Sequence, residues 1–265
     1  MLFTRREMLR KTALSALALG IPRILRANER GADFRFIVVN DLHYRDARCG
    51  EWFEGVVRAM RSHEADFCVL NGDLAENGHA EQIGAVREIF GQLRVPLFAT
   101  IGNHDHAAED DRRAFEQIFP RSINYHFEHK GWQFVALDST QGQQVFYTKI
   151  PQTTLDWLDE NLPSINHEKP TVLLTHFPMG TGVWTRPRNA PQVLERFRRQ
   201  SLRAVFNGHW HGYTRREFAH APVTTNRCCS WWRANNDATP QKGYFLCSAR
   251  DGEITRTFCE IKRIG

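Results

Sequence analysis

Residues 34–43 read FRFIVVNDLH, an apolar run that ends in polar side chains. The apolar part predicts a buried β-strand over 34–40, because runs of this length rich in β-branched residues are typical of strands covered on both faces. Asp41 and His43 follow directly, and an i, i+2 spacing in an extended segment would put both side chains on one face. The stretch therefore predicts a buried strand that ends in two side chains able to bind a metal ion.

Further short polar motifs follow other predicted strands. They are Gly72-Asp73 after 67–71, Gly102-Asn103-His104-Asp105 after 96–101, His176 after 171–175, and Gly208-His209-Trp210-His211 after 203–207. The glycines would let the backbone turn sharply where it approaches a ligand. Because ligands of α/β sheets bind at the carboxyl ends of the strands, the motifs together predict one shared site.

The residue types suit a pair of metal ions. Two divalent ions roughly 3.5–4 Å apart can clamp a phosphoryl group and generate hydroxide near neutral pH. One carboxylate has to bridge such ions, while imidazoles and an amide oxygen complete each shell without neutralising the charge. Asp73 is the natural bridge. Each motif alone could be a solvated loop or a helix cap, but the ordered set predicts a dinuclear site.

The ordered motifs resemble those of the calcineurin-like metallophosphoesterase superfamily, D-x-H, G-D, G-N-H-[DE], H and G-H-x-H, over residues 34–212. The resemblance implies two groups of ligands, the first being Asp41, His43, Asp73 and His211 and the second Asp73, Asn103, His176 and His209. His104 would face the substrate as a catalytic residue. The cofactors would be two divalent or trivalent metal ions, and Fe, Mn, Zn and Co all remain open.

The residue three positions after the bridging aspartate helps to place the chain within the superfamily. Purple acid phosphatases have a tyrosine ligand there, whereas this chain has Glu76, so purple acid chemistry is disfavoured. The segments around Asp41, Asp73 and Asn103 are similar to the bacterial class III cyclic-nucleotide phosphodiesterase-like branch. That branch is functionally mixed, and phosphodiester and phosphomonoester substrates both remain open.

Strands and helices alternate along most of the chain, which predicts an α/β fold. A further strand is predicted at 133–138, and helices at 51–62, 79–92, 110–119, 152–161 and 190–200. After residue 212 the pattern changes to short strands, including 243–248 and 253–261 with a turn at Asp251-Gly252. The resemblance implies a four-layer αββα sandwich of two mixed β-sheets flanked by helices. We expect residues 34–265 to form a single metallophosphoesterase domain.

The N-terminal segment carries a targeting pattern. Basic residues including Arg5 and Arg6 precede an apolar run at 13–21, which is too short to span a bilayer stably. The paired arginines resemble the twin-arginine motif S/T-R-R-x-x-L. An ordinary Sec signal and an uncleaved anchor are the alternatives. We expect a twin-arginine signal peptide at residues 1–27, with Ala27 only a candidate cleavage site.

This signal predicts the location and one partner of the protein. The twin-arginine export machinery would deliver it to the periplasm or another extracytoplasmic location, and an uncleaved signal would retain it at the membrane. No transmembrane helix is expected in the mature chain. Proteins exported by this route fold in the reducing cytoplasm, so the fold should not depend on disulfides among the six cysteines.

The charge balance bears on possible partners. Residues 1–27 contain six Lys/Arg and one acid, a net charge of +5, which equals the formal charge of the whole chain. The remaining chain is therefore near neutral. Because nucleic-acid-binding domains carry a basic excess on the folded part, no nucleic-acid binding is expected.

Two segments are well placed to wall a substrate pocket. Residues 179–189 are broken by glycine and proline and follow His176, and residues 228–237 contain two adjacent tryptophans. The tryptophans could stack on a base, although burial against the sheet is the commoner role of such residues. Arg188 and Arg233 could bind a phosphate.

We therefore expect an exported hydrolase acting on a small-molecule phosphodiester or phosphomonoester. A metal-bound hydroxide would attack phosphorus in line, and His104, oriented by Asp73 or Asp105, would protonate the leaving group or stabilise charge. The alternative is a binding or scaffold protein that keeps the phosphatase fold without catalysis. Degenerate ligands would indicate that alternative, and none is missing here.

Overall fold

The computed structural model describes residues 32–262. The predicted signal peptide at 1–27 lies outside the described residues. The strands are β1 (Phe34–Val39), β2 (Phe67–Asn71), β3 (Leu97–Thr100), β4 (Tyr125–His129), β5 (Trp132–Leu137), β6 (Thr171–Thr175), β7 (Leu202–Asn207), β8 (Thr214–Phe218), β9 (Ala221–Thr225), β10 (Lys242–Arg250) and β11 (Glu253–Ile261). The helices are α1 (Ala47–Arg61), α2 (Ala80–Gly91), α3 (Arg113–Ile118), α4 (Gln152–Asn161) and α5 (Ala190–Arg196).

The strands form two mixed sheets. The first has the order β11-β10-β1-β2-β3, and the second has the order β4-β5-β6-β7-β9-β8. Strands β1, β2 and β3 are parallel to one another, as are β5, β6, β7 and β9, while β10, β11, β4 and β8 pair antiparallel. The first sheet is therefore antiparallel at the β10–β11 side only, whereas the second has a parallel centre and an antiparallel strand at each edge.

Three apolar clusters join the sheets and helices into four layers. Residues of α1, α2 and α3 pack on the outer face of the first sheet, and those of α4 and α5 pack on the outer face of the second. Between the sheets lies an aromatic layer in which Phe36 stacks on Phe67 at 5.1 Å and meets Phe134 edge-on at 5.4 Å. The predicted αββα sandwich is confirmed.

The first sheet and the second sheet each present carboxyl ends of parallel strands to the predicted site. Asp41, Asp73 and Asn103 follow β1, β2 and β3 of the first sheet, while His176 and the 209–211 motif follow β6 and β7 of the second. The peptide N–H of Gly208 donates to the carbonyl of His176 at 2.8 Å, which ties the two loops of the second sheet together. The site therefore lies where the two sheets meet.

Within residues 32–262, no helix combines the length and the hydropathy needed to cross a membrane. All six cysteines belong to this part of the chain, and each is a free thiol. That the fold does not depend on disulfides stays a prediction.

Candidate metal centre

The backbone at the strand ends is left-handed rather than extended. Asp41 and His43 have φ values of 53° and 50°, Asp73 has 52°, and His209 and His211 have 64° and 46°. The expectation that Asp41 and His43 share one face of an extended segment is therefore wrong, and the i, i+2 pair His209 and His211 is not extended either. Their side chains converge because alternate residues turn through the left-handed region, which non-glycine residues enter only when the surroundings hold them there.

These turns gather the predicted ligands into two groups that share Asp73. The first group is Asp41, His43, Asp73 and His211, and the second is Asp73, His176 and His209. Within each group, every residue offers one ligand atom, and these atoms all lie within 4.8 Å of one another. Asn103 belongs beside the second group, because its Oδ1 lies 3.0 Å from His209 Nδ1. The structure thus brings together the seven residues predicted as ligands, in the two sets that the resemblance implied.

Each histidine of the cluster directs one ring nitrogen outward to a hydrogen-bond acceptor. His43 Nδ1 lies 2.9 Å from Glu76 Oε2, His176 Nδ1 lies 3.3 Å from the Asn71 carbonyl, His209 Nε2 lies 3.0 Å from the Val145 carbonyl, and His211 Nδ1 lies 3.3 Å from the Ala234 carbonyl. In each case the outward N–H can donate, which leaves the inward nitrogen with a free lone pair. Metal-binding histidines show this pattern.

Apart from His209 Nδ1, which lies beside Asn103 Oδ1, the inward nitrogens lack ordinary partners. His43 Nε2 and His211 Nε2 face each other at 3.0 Å, and if both outward nitrogens carry protons, neither inward nitrogen can donate. His176 Nε2 is buried, and it lies 3.2 Å from Asp73 Oδ2 without forming a hydrogen bond of acceptable geometry. A metal ion accepts such lone pairs at about 2.0–2.1 Å in protein sites. The donor set therefore fits two ions, one in each group.

The electrostatics of the cluster favour cations. Burial alone would raise the pKa of Asp41, but the neighbouring His211 and His176 together outweigh it and lower that pKa to about 2. Burial likewise opposes ionisation of Asp73, yet His176 holds its pKa well below the ordinary value. Burial would lower the pKa of His176, whereas Asp73 raises it to about 9. The carboxylates thus draw protons to His176 and His211, whereas burial lowers the pKa of His43 to about 4 and that of His209 to about 3. Metal ions would compete with those protons for the same lone pairs.

Three glycines leave the space that the ligands need. A Cβ added at Gly72, Gly102 or Gly208 would lie closer than 3.0 Å to His176, Asp73 or Asp41, respectively. Real Cβ atoms essentially never approach other atoms so closely. Gly72 also has a φ of 82°, which favours glycine. The small residues in the motifs are therefore required by the packing of the ligands themselves.

His104 lies on a 3₁₀ turn over Asn103–Asp105. Its peptide N–H donates to Asp73 Oδ1 at 2.9 Å, and its Nδ1 lies 2.9 Å from the Glu76 carbonyl. The ring is therefore oriented by Glu76, while Asp73 fixes only the backbone. Asp105 contacts neither ring nitrogen and instead accepts the peptide N–H groups of Ala75 and Gly102.

Glu76 contacts several residues of the candidate site, and sequence reasoning did not identify it. Its carboxylate accepts from His43 and pairs with Arg233, and its carbonyl faces His104. Burial would raise the pKa of this carboxyl, but His43, Arg233 and His104 together outweigh that effect and lower it. Carboxylates that accept from a metal-binding histidine fix its orientation and raise its basicity. Only the spacing of three residues from Asp73 singled out this position in the sequence.

Both predicted walls border the site. Trp184 and Thr185 of the first segment and Arg233, Ala234 and Asn236 of the second line a cavity of about 370 Å³ together with His43, Asp73, His104, Val145, Phe146, His209, Trp210 and His211. The ring of Trp231 packs against that of Trp52 with centroids 5.5 Å apart, which is the packing role rather than stacking on a base. Arg188 does not line the cavity and lies over the ring of Tyr147 at 5.4 Å.

The fold is an αββα sandwich, and one aspartate belongs to both groups of candidate ligands where the two sheets meet. Together these features define a class of proteins that hold a dinuclear metal centre at this junction. The model of the calcineurin-like phosphoesterase family matches residues 34–213. The chain belongs to this family. Its members use dinuclear metal centres, in agreement with the clustered donors.

Curated relatives and a solved structure are similar to parts of the chain. A 3′,5′-cyclic-nucleotide phosphodiesterase of Nostoc sp. is 27% identical over 161 residues, 58% of this chain and 59% of that protein. A glycerophosphodiester phosphodiesterase of Enterobacter lignolyticus is 27% identical over 173 residues, 60% of this chain and 61% of that protein. The chain therefore spans about six tenths of the length of these relatives.

A dimetal phosphatase from Danio rerio superposes with a TM-score of 0.65 at 15% identity, over 85% of this chain and 98% of that structure. At this identity the likeness shows the shared fold alone.

Proposed function

We propose that this protein is a metal-dependent phosphoester hydrolase with a dinuclear centre. The observation that carries the proposal is the pair of donor groups sharing Asp73 at the floor of a solvent-accessible cavity. Asp41, His43 and His211 would hold one ion with Asp73, and Asn103, His176 and His209 would hold the other. Two such ions supply Lewis acidity toward the phosphoryl oxygens and a hydroxide nucleophile near neutral pH.

The role of His104 follows from its contacts. The Glu76 carbonyl accepts the Nδ1 proton, so Nε2 is the nitrogen available to the cavity. Glu76 Oε1 also lies 3.9 Å from Nδ1, on the same side of the ring. A protonated His104 would donate its Nε2 proton to the leaving oxygen as the ester bond breaks, and the deprotonated ring would then regain a proton from solvent.

The charges around the cavity favour phosphodiesters over phosphomonoesters. A monoester dianion needs one more compensating cation than a diester monoanion. Arg233 is the one arginine or lysine among the lining residues, and it is paired with Glu76. The names of both curated relatives are also those of phosphodiesterases. We therefore assign diester hydrolysis as the principal activity.

The test is hydrolysis of bis-p-nitrophenyl phosphate and p-nitrophenyl phosphate by protein whose metal content has been measured. We expect turnover of both, with a higher kcat/KM for the diester. Asp73→Asn should lose at least one ion per chain and its activity while keeping its circular dichroism, because an amide cannot bridge two cations. Full metal occupancy with normal turnover in this variant would contradict the dinuclear assignment. No turnover by metal-loaded wild type would favour the scaffold alternative.

We further propose export by the twin-arginine route, supported by the pattern at residues 4–21 and by a fold without disulfides. Arg5→Lys combined with Arg6→Lys should block export and leave active enzyme in the cytoplasm, because a receptor reads the paired arginines rather than their charge. Fractionation of cells that express the full chain measures the effect. Unchanged export would show that the segment is of another type.

A further inference from the structure

Exposed hydrophobic side chains gather at the mouth of the metal cavity. Among the described residues, the exposed large hydrophobic side chains are Val145, Phe146, Tyr147, Trp184 and Tyr213. All but Tyr213 belong to two segments that meet beside the ligands. Trp184 has 61% and Phe146 has 43% of its surface exposed. Exposed apolar clusters of this kind mark binding sites more often than isolated exposed residues do.

The rings form one continuous surface. Phe146 and Trp184 stack with centroids 4.6 Å apart and planes at 22°. Trp210 meets Trp184 edge-on, at 5.9 Å and 86°. All three side chains line the same cavity of about 370 Å³ as His104. This volume is within the range of pockets for small ligands, which is about 300–1,000 Å³.

Backbone contacts hold the aromatic residues in place. The Val145 carbonyl accepts from His209 Nε2 at 3.0 Å, so the residue before Phe146 is bonded directly to the metal cluster. The peptide N–H of Arg188 donates to the Thr148 carbonyl at 2.9 Å, which joins the two segments. Arg216 Nε donates to the Thr181 carbonyl at 2.9 Å. Such a surface is organised before a ligand arrives, which lowers the entropic cost of binding.

Two of the polar side chains beside these rings are already engaged, and the unpartnered Thr185 Oγ1 is buried. Arg233 is paired with Glu76, and Asn236 Nδ2 donates to the Trp210 carbonyl at 2.8 Å. A second phosphate would need an unpaired cation, and a polyhydroxylated group would need free donors and acceptors. A flat apolar ring needs neither, because it stacks on aromatic side chains through its π face.

We propose that Phe146, Trp184 and Trp210 form a stacking subsite for a planar aromatic group, a nucleobase or an aryl ring, carried by the phosphoester. The inference rests on the proposed function, because the metal centre would hold the phosphoryl group while the aromatic group stacks at the mouth. Trp184 and Phe146 act as specificity residues and take no part in bond breaking.

The test measures binding to the metal-loaded protein by titration calorimetry with two matched pairs of ligands. Adenosine 5′-monophosphate and ribose 5-phosphate differ by a nucleobase, while phenylphosphonate and methylphosphonate differ by an aryl ring. We expect the aromatic member to bind roughly 5- to 150-fold more tightly, the range for stacking on one aromatic residue. A preference in the first pair alone assigns a nucleobase, and one in both pairs assigns any aromatic ring.

Variants separate stacking from a general effect on the fold. Trp184→Leu and Phe146→Leu should keep metal content and thermal stability but lose most of the preference, and Trp184→Tyr should restore much of it. Tyr213→Leu is the matched control, because Tyr213 is also exposed but does not line the cavity. Absence of a preference in the wild type, or a preference that survives both leucine variants, would overturn the inference.

Hydrolysis of bis-p-nitrophenyl phosphate, measured on the same preparations, reports on the proposed function separately. Turnover without an aromatic preference would refute the stacking subsite and leave the hydrolase assignment intact. A preference in binding without turnover would support the subsite and refute the hydrolase.

Discussion

At the scale of single residues, His104 has one nitrogen engaged by the Glu76 carbonyl, and about a quarter of its side chain is exposed. His104→Ala should therefore keep both metal ions but lose roughly 10²–10⁴-fold in rate on alkyl or nucleoside diesters, whose leaving groups need a proton. The loss should be smaller on p-nitrophenyl esters, whose leaving group scarcely needs one. Steady-state kinetics on both ester types, with elemental analysis, measure the effect.

The control for this variant is His220→Ala, because the His220 side chain is fully exposed and lies outside the cluster. Equal losses on both ester types would indicate that His104 binds phosphate rather than donating a proton. Loss of metal would make it a ligand.

Glu76 orients the metal-binding face of His43 through a 2.9 Å hydrogen bond. Glu76→Gln keeps the size and one acceptor but removes the charge that supports both His43 and Arg233. We expect the affinity for metal to fall about 10–100-fold, as for other carboxylates that accept from a ligating histidine. Metal titration calorimetry measures it.

Glu116→Gln is the control for this second variant, because Glu116 is exposed and forms an ion pair with Arg112 far from the donor groups. An unchanged affinity in Glu76→Gln would show that the carboxylate serves only to hold Arg233.

The identities of the candidate ligands could be read from the sequence, but their geometry could not. The motif letters alone name Asp41, His43 and Asp73, whereas the left-handed backbone that aims these side chains depends on loops from both sheets. The same limit applies to Arg233, which looked free to bind phosphate and is paired with Glu76. Pairing of side chains far apart in sequence has no local signal.

At the scale of elements, helix α1 begins only a few residues after the first metal-binding motif. Asp46 caps it by accepting from the peptide N–H groups of Arg48 at 3.1 Å and Cys49 at 3.4 Å. Asp46→Ala should lower the free energy of unfolding by about 1 kcal/mol, while Asp46→Asn should keep most of it. Urea denaturation measures both. Equal destabilisation in the two variants would attribute the effect to the ion pair with Arg45 instead.

Most predicted strands and helices are present with shifted ends, and the missed ones have physical reasons. Strand β4 is only half buried, so its apolar pattern is weak. The hairpin of β8 and β9 turns at Ala219 and His220, whose φ values are 48° and 70°. Two left-handed residues suit a two-residue hairpin, but neither is a residue that signals such a turn. The turn at Asp251-Gly252 carries that signal and was predicted.

At the scale of the whole molecule, the candidate ligands join the two sheets. Asp41, Asp73 and Asn103 come from the first sheet and the histidines after β6 and β7 from the second. Metal ions that bind only the folded state stabilise it. The stabilisation grows with the logarithm of the ratio of the free ion concentration to the dissociation constant. Removal by a chelator should therefore lower the melting temperature by about 5–10 °C for each ion that is present at a hundredfold excess over its dissociation constant.

Differential scanning fluorimetry with and without chelator measures this shift, and Asp73→Asn should show a smaller one. A melting temperature that does not change on chelation would mean that the ions contribute nothing to holding the sheets together.

The glycines that border the ligands bear on how catalysis could be lost among related chains. A chain that keeps all seven ligands but has alanine in place of Gly102 would force its Cβ against the backbone and carboxylate of the bridging aspartate. A comparison of the metal-binding residues alone would classify such a chain as an active enzyme, although its metal centre would be disrupted. Drift from enzyme to inactive paralogue can thus begin at a position that has no side chain.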